Sequence, residues 1–475
     1  MKQKLVRFTE FANSLYPHET DYLLSIQQFA TNENLKILNL INYNCKNSLN
    51  TLPYDGSLDK RKYTYIKKWI VKNLNDIDVD YYYEWLISIE KQVMTDAIMP
   101  DEEKNLLEKT ITTTPTHYYF IRFYELLQHY RDYLLIRVRN QYYEPVSEYL
   151  EKYNEQYQLT TELNKKLNSA TLDIIRQHST SEIKTESKHW EKFLRKTFLD
   201  QSLDGYTRYR SVVRLTFLYY NYREFDKLRW IYELLDKMFK TNIFYSKRIL
   251  ANYYANRAMM HSKLNELDLA EKYGYLSIRK HNSDYLFYLL NLCGVLLKRG
   301  KNKEAYQLMT QSIPELKKTN SFYYKIGFVA FYIKTLLAND LISKAVSYAE
   351  TFLDGYKKEV LKHRWHLFFS TYIRALFQAE KYAKILSITK RYNLVNKEKQ
   401  FIGRAKYLPI IFWYSSVASY IEGAVSEKKL QETIIKSGNS LIKHKYKSFK
   451  IRELLDELSE LMPKITKEIK IKLKL

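Results

Sequence analysis

At 475 residues the chain has room for two or three domains, and with only 10 Gly and 8 Pro it excludes folds built on hairpins, bulges and tight turns. Its 77 Lys and Arg against 53 Asp and Glu set a net charge of +24, which attracts polyanions without specifying one. Two cysteines, Cys45 and Cys293, exclude a disulfide framework and fit a reducing, cytoplasmic setting. Runs of Leu, Lys, Glu, Tyr and Ile read as one helix after another, so the expected fold class is all-α. The most apolar stretch, 407–421, carries Pro409 and is shorter than the roughly 18 residues a membrane span needs, so none is expected. The first residues, MKQKLVRFTEFANSLYPHE, lack the apolar core of a secretion signal.

Residues 1–110 are expected to form a helical N-terminal domain. Within it, SLDKRKYTYIKKWIVKN predicts a basic helix, with Lys60, Arg61, Lys62, Lys67, Lys68 and Lys72 against one acid, Asp59. Tyr65, Ile66, Trp69 and Ile70 would face its core. A second helix starts in IDVDYYYEWLISIEKQV, where Asp80 is the expected cap and Glu84 sits in the first turn. A third starts in MPDEEKNLLEK behind Pro100. TITTTPTH, 110–117, breaks the helical pattern. Residues 117–200 then form a helical connector, read as one long helical pair to residue 178, followed by a polar break at HSTSEIKTESKHW.

From residue 201 a phrase recurs. Leu228, Ala270, Ala305, Ala345 and Ile385 occupy equivalent places, each with Phe225, Leu267, Asn302, Ile342 or Tyr382 three residues earlier. The period of 35 to 42 residues marks stacked supersecondary units, each a pair of antiparallel helices, A and B. Small residues such as Ala258, Ala270, Ala305 and Ala345 let the paired helices approach closely.

This pattern resembles the tetratricopeptide repeat family over residues 205–395. Tyr254, Ala258, Leu267, Ala270 and Ser277 fall on that family's spaced positions, as do Cys293, Gly300, Ala305 and Ser312. Thr216, Ile333 and Ile373 stand where the family has glycine, its closing proline is absent, and every step exceeds the family's spacing. The resemblance implies a superhelical solenoid over 201–425 whose A helices line a ligand groove. Its inward positions carry over to Arg210, Tyr220, Asn252, Met259, Lys334 and Arg374. A basic C-terminal helix and tail, 426–475, follows. KHKYKSFKIR interleaves five basic residues with Tyr446 and Phe449 and leads into an apolar stripe of Ile451, Leu454, Leu455, Leu458 and Leu461. Pro463 stops that helix, and IKIKLKL is expected to fray.

Catalytic and metal signals are weak. Asp76, Asp78 and Asp80 start like a calcium loop, but Tyr81 and Ile87 stand where glycine and glutamate are required, so capping is preferred. His363 and His366 lack a third ligand. Arg122 and His129 resemble the arginine–histidine motif of HEPN ribonucleases. That resemblance implies a proton-moving His129 and a phosphate-steadying Arg122, although Phe123 stands where a polar residue is usual. A plain helix-face pair is the preferred reading. No phosphate loop or nucleophile elbow is present. The sequence therefore points to a non-catalytic scaffold or sensor without cofactor or metal. Its expected partner is a protein or peptide with an acidic surface. The alternatives are a nucleic-acid binder using Lys, Arg and Tyr, and then the ribonuclease.

Overall fold

The computed structural model describes residues 5–47, 50–180, 187–240, 244–402, 407–442 and 445–475. Among the described residues the chain is all-helical, with 26 α-helices, one 3-10 turn and no strand. Contacts divide it into two compact units that meet in sequence between Asn282 and Ser283, inside the stretch expected to be one repeat array.

The first unit begins with α1 (Val6–Asn13), α2 (Pro17–Ile26), α3 (Asn32–Lys46), α4 (Lys60–Ile77), α5 (Val79–Met94) and α6 (Pro100–Thr112). It continues with α7 (Phe120–Ile136), α8 (Asn140–Lys152), α9 (Asn154–Thr180), α10 (Glu191–Leu199), α11 (Gly205–Tyr222), α12 (Phe225–Lys240), α13 (Lys247–Lys263) and α14 (Leu267–Ser277). The second unit holds α15 (Tyr285–Lys298), α16 (Asn302–Gln311), α17 (Ile313–Lys318), α18 (Phe322–Leu337), α19 (Ile342–Lys362) and α20 (Trp365–Gln378). It ends with α21 (Tyr382–Arg391), α22 (Leu394–Lys399), α23 (Ile410–Ile421), α24 (Glu427–Asn439), α25 (Lys445–Ser459) and α26 (Pro463–Lys472).

The expected helix pairs are present. Phe225, Leu267, Asn302, Ile342 and Tyr382 are each the first residue of a B helix. Three residues on, Leu228, Ala270, Ala305, Ala345 and Ile385 are all buried. The turn before each B helix is the same. Arg223, Asn265, Gly300, Asp340 and Glu380 each adopt a left-handed backbone, with φ from 56° to 71°. In each case the next residue's N–H closes back on the helix A carbonyl five residues earlier, at 2.9 to 3.0 Å. This is the Schellman closure, which satisfies carbonyls that a helix end otherwise leaves bare. Gly423 and Ala424 repeat it after α23.

Side chains link one pair to the next within the second unit. Asn302 donates to the Ala338 carbonyl at 2.8 Å, and Asn339 returns a bond to the Asn302 carbonyl at 3.0 Å. Lys344 of α19 reaches Tyr306 of α16, and Lys384 of α21 reaches Glu350 of α19. The A helices α15, α18, α20 and α23 also touch in that order.

In the first unit the N-terminal helices share a core with α11–α14. Buried polar ties join them. His18 meets Asp236 at 2.9 Å and the Tyr254 hydroxyl at 2.6 Å. Tyr245 donates to the fully buried Glu19 carboxylate at 2.6 Å, and Arg248 grips Asp80 at 2.6 and 3.0 Å. Arg279 donates to the backbone carbonyls of Leu15 and Cys45.

Several expectations change here. Asp78, not Asp80, caps α5, accepting from the Asp80 amide at 2.8 Å, which leaves Asp80 for Arg248. Residues 117–178 hold three helices rather than a pair, because the chain breaks again at Tyr153 between α8 and α9. Within the 178–190 break, residues 181–186 lie outside the described residues, and 187–190 form the 3-10 turn. The tail does not fray. Pro463 opens α26 instead of only ending α25, and Ile465, Ile469 and Leu473, four apart, are buried. Tyr65, expected in the core, is 51% exposed, while Ile66 and Ile70 are buried.

Two outcomes follow from this packing. Ala305 is fully buried, with its carbonyl 4.0 Å from Cys293 Sγ on the paired helix. Ala305→Trp should overpack that seam and cost about 1–3 kcal/mol or more, read as a lower denaturant midpoint at unchanged slope. Asp204 caps α11 through the Thr207 amide at 2.9 Å, and burial raises its carboxyl to about 6. A raised acid pKa means the folded state holds the proton more tightly, so this group stabilises fully below the unfolded value of about 3.9 and loses that stabilisation as pH rises through 6. Asp204→Asn, which still caps, should flatten the stability profile between pH 4 and 6, measured by thermal melts across that window.

Candidate ligand face

The second unit presents its A helices α15, α18, α20 and α23 side by side. Glu457 joins α25 to α20 and α23, and α25 also packs against α26. Ile451, Leu454, Leu455 and Leu458 are buried at 0 to 2% exposure, whereas Leu461, expected on the same stripe, is 46% exposed beyond the helix end. That single face of α25 contributes several kilocalories of apolar burial, at about 25 cal/mol for each Å² removed from water.

Polar groups set its register. Glu457 of α25 accepts from Arg374 of α20 through two nitrogens, at 2.8 and 3.2 Å, and from the Tyr414 hydroxyl of α23 at 2.8 Å. The Arg374 guanidinium also lies 5.8 Å from the Tyr414 ring centre. Burial works against the Arg374 charge, but Glu457 and Tyr414 outweigh it and hold its pKa above the ordinary value. Burial, with Glu457 adding to it, raises the Tyr414 phenol.

Lys334 of α18 reaches solvent. Burial of its surroundings and then the charge of Arg374 nevertheless push its ammonium below the usual lysine range. Lys450 and Lys298 add to that push, and Glu457 opposes it. Lys298 of α15 is lowered by burial and by Lys450, against Glu453. Lys450 pairs with Glu453 within α25, and burial lowers Lys447. This face therefore gathers Lys298, Lys334, Arg374 and Lys450 around two acids, Glu453 and Glu457. A partly desolvated surface with surplus positive charge favours an anionic occupant.

Of the six expected groove residues, the structure brings Lys334 and Arg374 together at Glu457. The other four belong to the first unit. Arg210 turns onto α9, where it donates to Asn164 and, at 2.5 Å, to Asn168. Tyr220 is half-buried, edge-on to Phe225 at 6.4 Å. Asn252 accepts from Asn256 at 2.9 Å and lines a cleft of about 20 Å³ with Tyr209, Tyr232 and Tyr253, room for one water. Met259 is half-buried.

Sequence reasoning missed Tyr414, Glu457 and Lys298. The stripe on α25 was legible, but nothing local says which surface it covers. Lys443 and His444 lie outside the described residues, as does the side chain of Tyr446, and Phe449 is 58% exposed. Arg122 and His129 both lie on α7 and each faces an acid, Arg122 at 2.9 Å from Glu125 and His129 at 3.6 Å from Glu90. His366 meets the buried Glu398 at 2.7 Å, and Glu398 accepts from the first amides of α23, an anion at a helix N-terminus. Among the described residues no three His, Cys, Asp or Glu gather to hold a metal, and no helix is long and apolar enough to cross a membrane. Compared with family models, curated proteins and solved structures, the chain matches none.

Glu457→Gln removes the charged half of a partly exposed ion pair and should cost α25 about 1 kcal/mol. Amides of residues 451–458 should then exchange about fivefold faster, with α15 and α18 unchanged, in hydrogen-exchange mass spectrometry.

Proposed function

We propose that this chain is a non-catalytic helical-repeat scaffold whose A-helix face takes an acidic, amphipathic segment of a partner protein. The reading includes the superhelical, tetratricopeptide-like arrangement that the repeat period implies. One observation carries it: α25, itself amphipathic, seats a carboxylate on Arg374 and Tyr414 of two neighbouring A helices. The chain's own helix is thus a template for the ligand. Apolar residues at 451, 454, 455 and 458 supply the anchors of helix-in-groove recognition, and one acid supplies the register. A helix more acidic than α25 suits this face better, because charge complementarity then extends to Lys298 and Lys334. Tethering gives α25 a high effective concentration, so a partner succeeds only by binding more strongly or by finding α25 loosened.

The test uses a labelled peptide of residues 445–461 in which Lys445, Lys447 and Lys450 are replaced by Glu, titrated into the full chain. Glu457→Ala frees Arg374 and should tighten binding about tenfold over the unsubstituted chain. Arg374→Glu should abolish binding without a large change in melting temperature. Equal affinity for all three proteins removes the reading.

A further inference from the structure

A second charged surface lies in the first unit, on α4. Tyr63, Ile66, Ile70 and Leu74 bury one side of this helix. On the opposite side Arg61, Tyr65, Lys68 and Lys72 are all exposed. Their spacing of four, three and four residues places them in one line along the helix, about 16 Å long at 1.5 Å per residue. Lys60 and Lys67 are exposed on a flank nearer the buried side, where the Lys67 ammonium lies 5.0 Å from the Phe11 ring centre.

Most of this charge is uncompensated. Lys62 pairs with Glu33, but among the described residues no acid pairs with Lys60, Arg61, Lys67, Lys68 or Lys72. The nearest acid in sequence, Asp59, is occupied as the cap of α4, accepting from the Arg61 amide at 2.9 Å. A solvated lysine face is ordinary. At its centre, in line with the cations, stands Tyr65, 51% exposed.

Tyr65 is also braced. Its ring stands edge-on to Phe29 at 6.4 Å, and Phe29 stands edge-on to Trp69 at 4.7 Å. Both supporting rings are half-buried. The brace limits the motion of Tyr65 while leaving about half of it open to water, which lowers the ordering cost of stacking a planar group on it.

We propose that this outward face of α4 binds single-stranded nucleic acid, with phosphates on Arg61, Lys68 and Lys72 and one base stacked on Tyr65. Cations tracking a backbone beside an exposed aromatic are what sequence-tolerant single-strand binding requires. A duplex keeps its bases stacked inside and gives Tyr65 nothing to meet. An acidic protein segment uses the cations but leaves the ring idle.

The experiment is fluorescence anisotropy of a labelled 15-nucleotide poly-U and poly-dT with the full chain across a salt series. Duplex DNA, heparin, poly-Glu and phosphatidylserine vesicles serve as competitors. Single strands should compete best, with affinity falling as salt rises. Lys68→Glu with Lys72→Glu should weaken binding and flatten the logarithmic salt slope by about 1.4, two lost contacts at about 0.7 each. Tyr65→Ala should weaken binding about 5- to 100-fold at an unchanged slope, and Tyr65→Trp should restore it. Lys464→Glu with Lys467→Glu on α26 makes the same charge change elsewhere and should have a smaller effect. Absent binding, an inert Tyr65→Ala, an equal loss from the α26 variant, or a better competitor among duplex, heparin, poly-Glu and vesicles each overturns the proposal. Circular dichroism of every variant confirms that the helices remain.

Discussion

Everything regular in this chain depends on how its A helices end. Among the described residues nine helices close on a left-handed residue with the next amide bonded to a carbonyl five residues back, and six of them are A helices. The closure satisfies helix-end carbonyls inside a short turn and sends the next helix back alongside the first. Only Gly300 and Gly423 adopt that backbone at little cost. Arg223, Asn265, Asp340 and Glu380 adopt it against a steric penalty of about 1 kcal/mol each. The buried seam of Leu228, Ala270, Ala345 and Ile385 in the helix pairs that follow offsets that penalty. The turn is therefore held by the pair it joins, not by its own residues.

From that constraint comes a surface. Pairs joined by one turn geometry present equivalent positions to the same side, so residues 40 apart, Lys334 and Arg374, converge on one carboxylate of α25. Like charges brought together in partly desolvated surroundings oppose one another, and this is why Lys334 and Lys298 lie below the ordinary lysine range. Glu457 and Glu453 relieve only part of that repulsion. On this face the positive charge exceeds the negative.

The first unit solves a different problem. Its N-terminal helices are tied to α12 and α13 by buried polar groups rather than by repeat contacts. Asp236 gathers His18, Tyr253 and Arg257, and although burial raises its carboxyl, these three partners bring it down to about 2. Glu19, Tyr245 and Arg279 extend the same tie. Such networks specify one docking geometry, because a shifted helix leaves buried charge unpaired. The outward side of the same unit is free of that demand, and on α4 it carries a row of cations around a braced tyrosine.

What the sequence by itself determined was local. The helical class, the five B-helix starts, the buried positions three residues later and the apolar stripe of α25 all follow from periods of 3.6 and about 40 residues, visible in any stretch of chain. Of the candidate face, Lys334 and Arg374 were legible as equivalent repeat positions. Tertiary structure alone decided the rest. Arg, Asn, Gly, Asp and Glu share no chemistry that announces a left-handed turn. The alternation of IKIKLKL conceals Ile469 and Leu473, which continue from Ile465 at a four-residue spacing that matters only because α24 and α25 lie beneath them. Tyr65 was expected in the core by its apolar character and lies outside because Tyr63, Ile66, Ile70 and Leu74 form the buried side of α4. Glu457 became a ligand of Arg374 across 83 residues, and no local pattern encodes which distant surface a helix will cover.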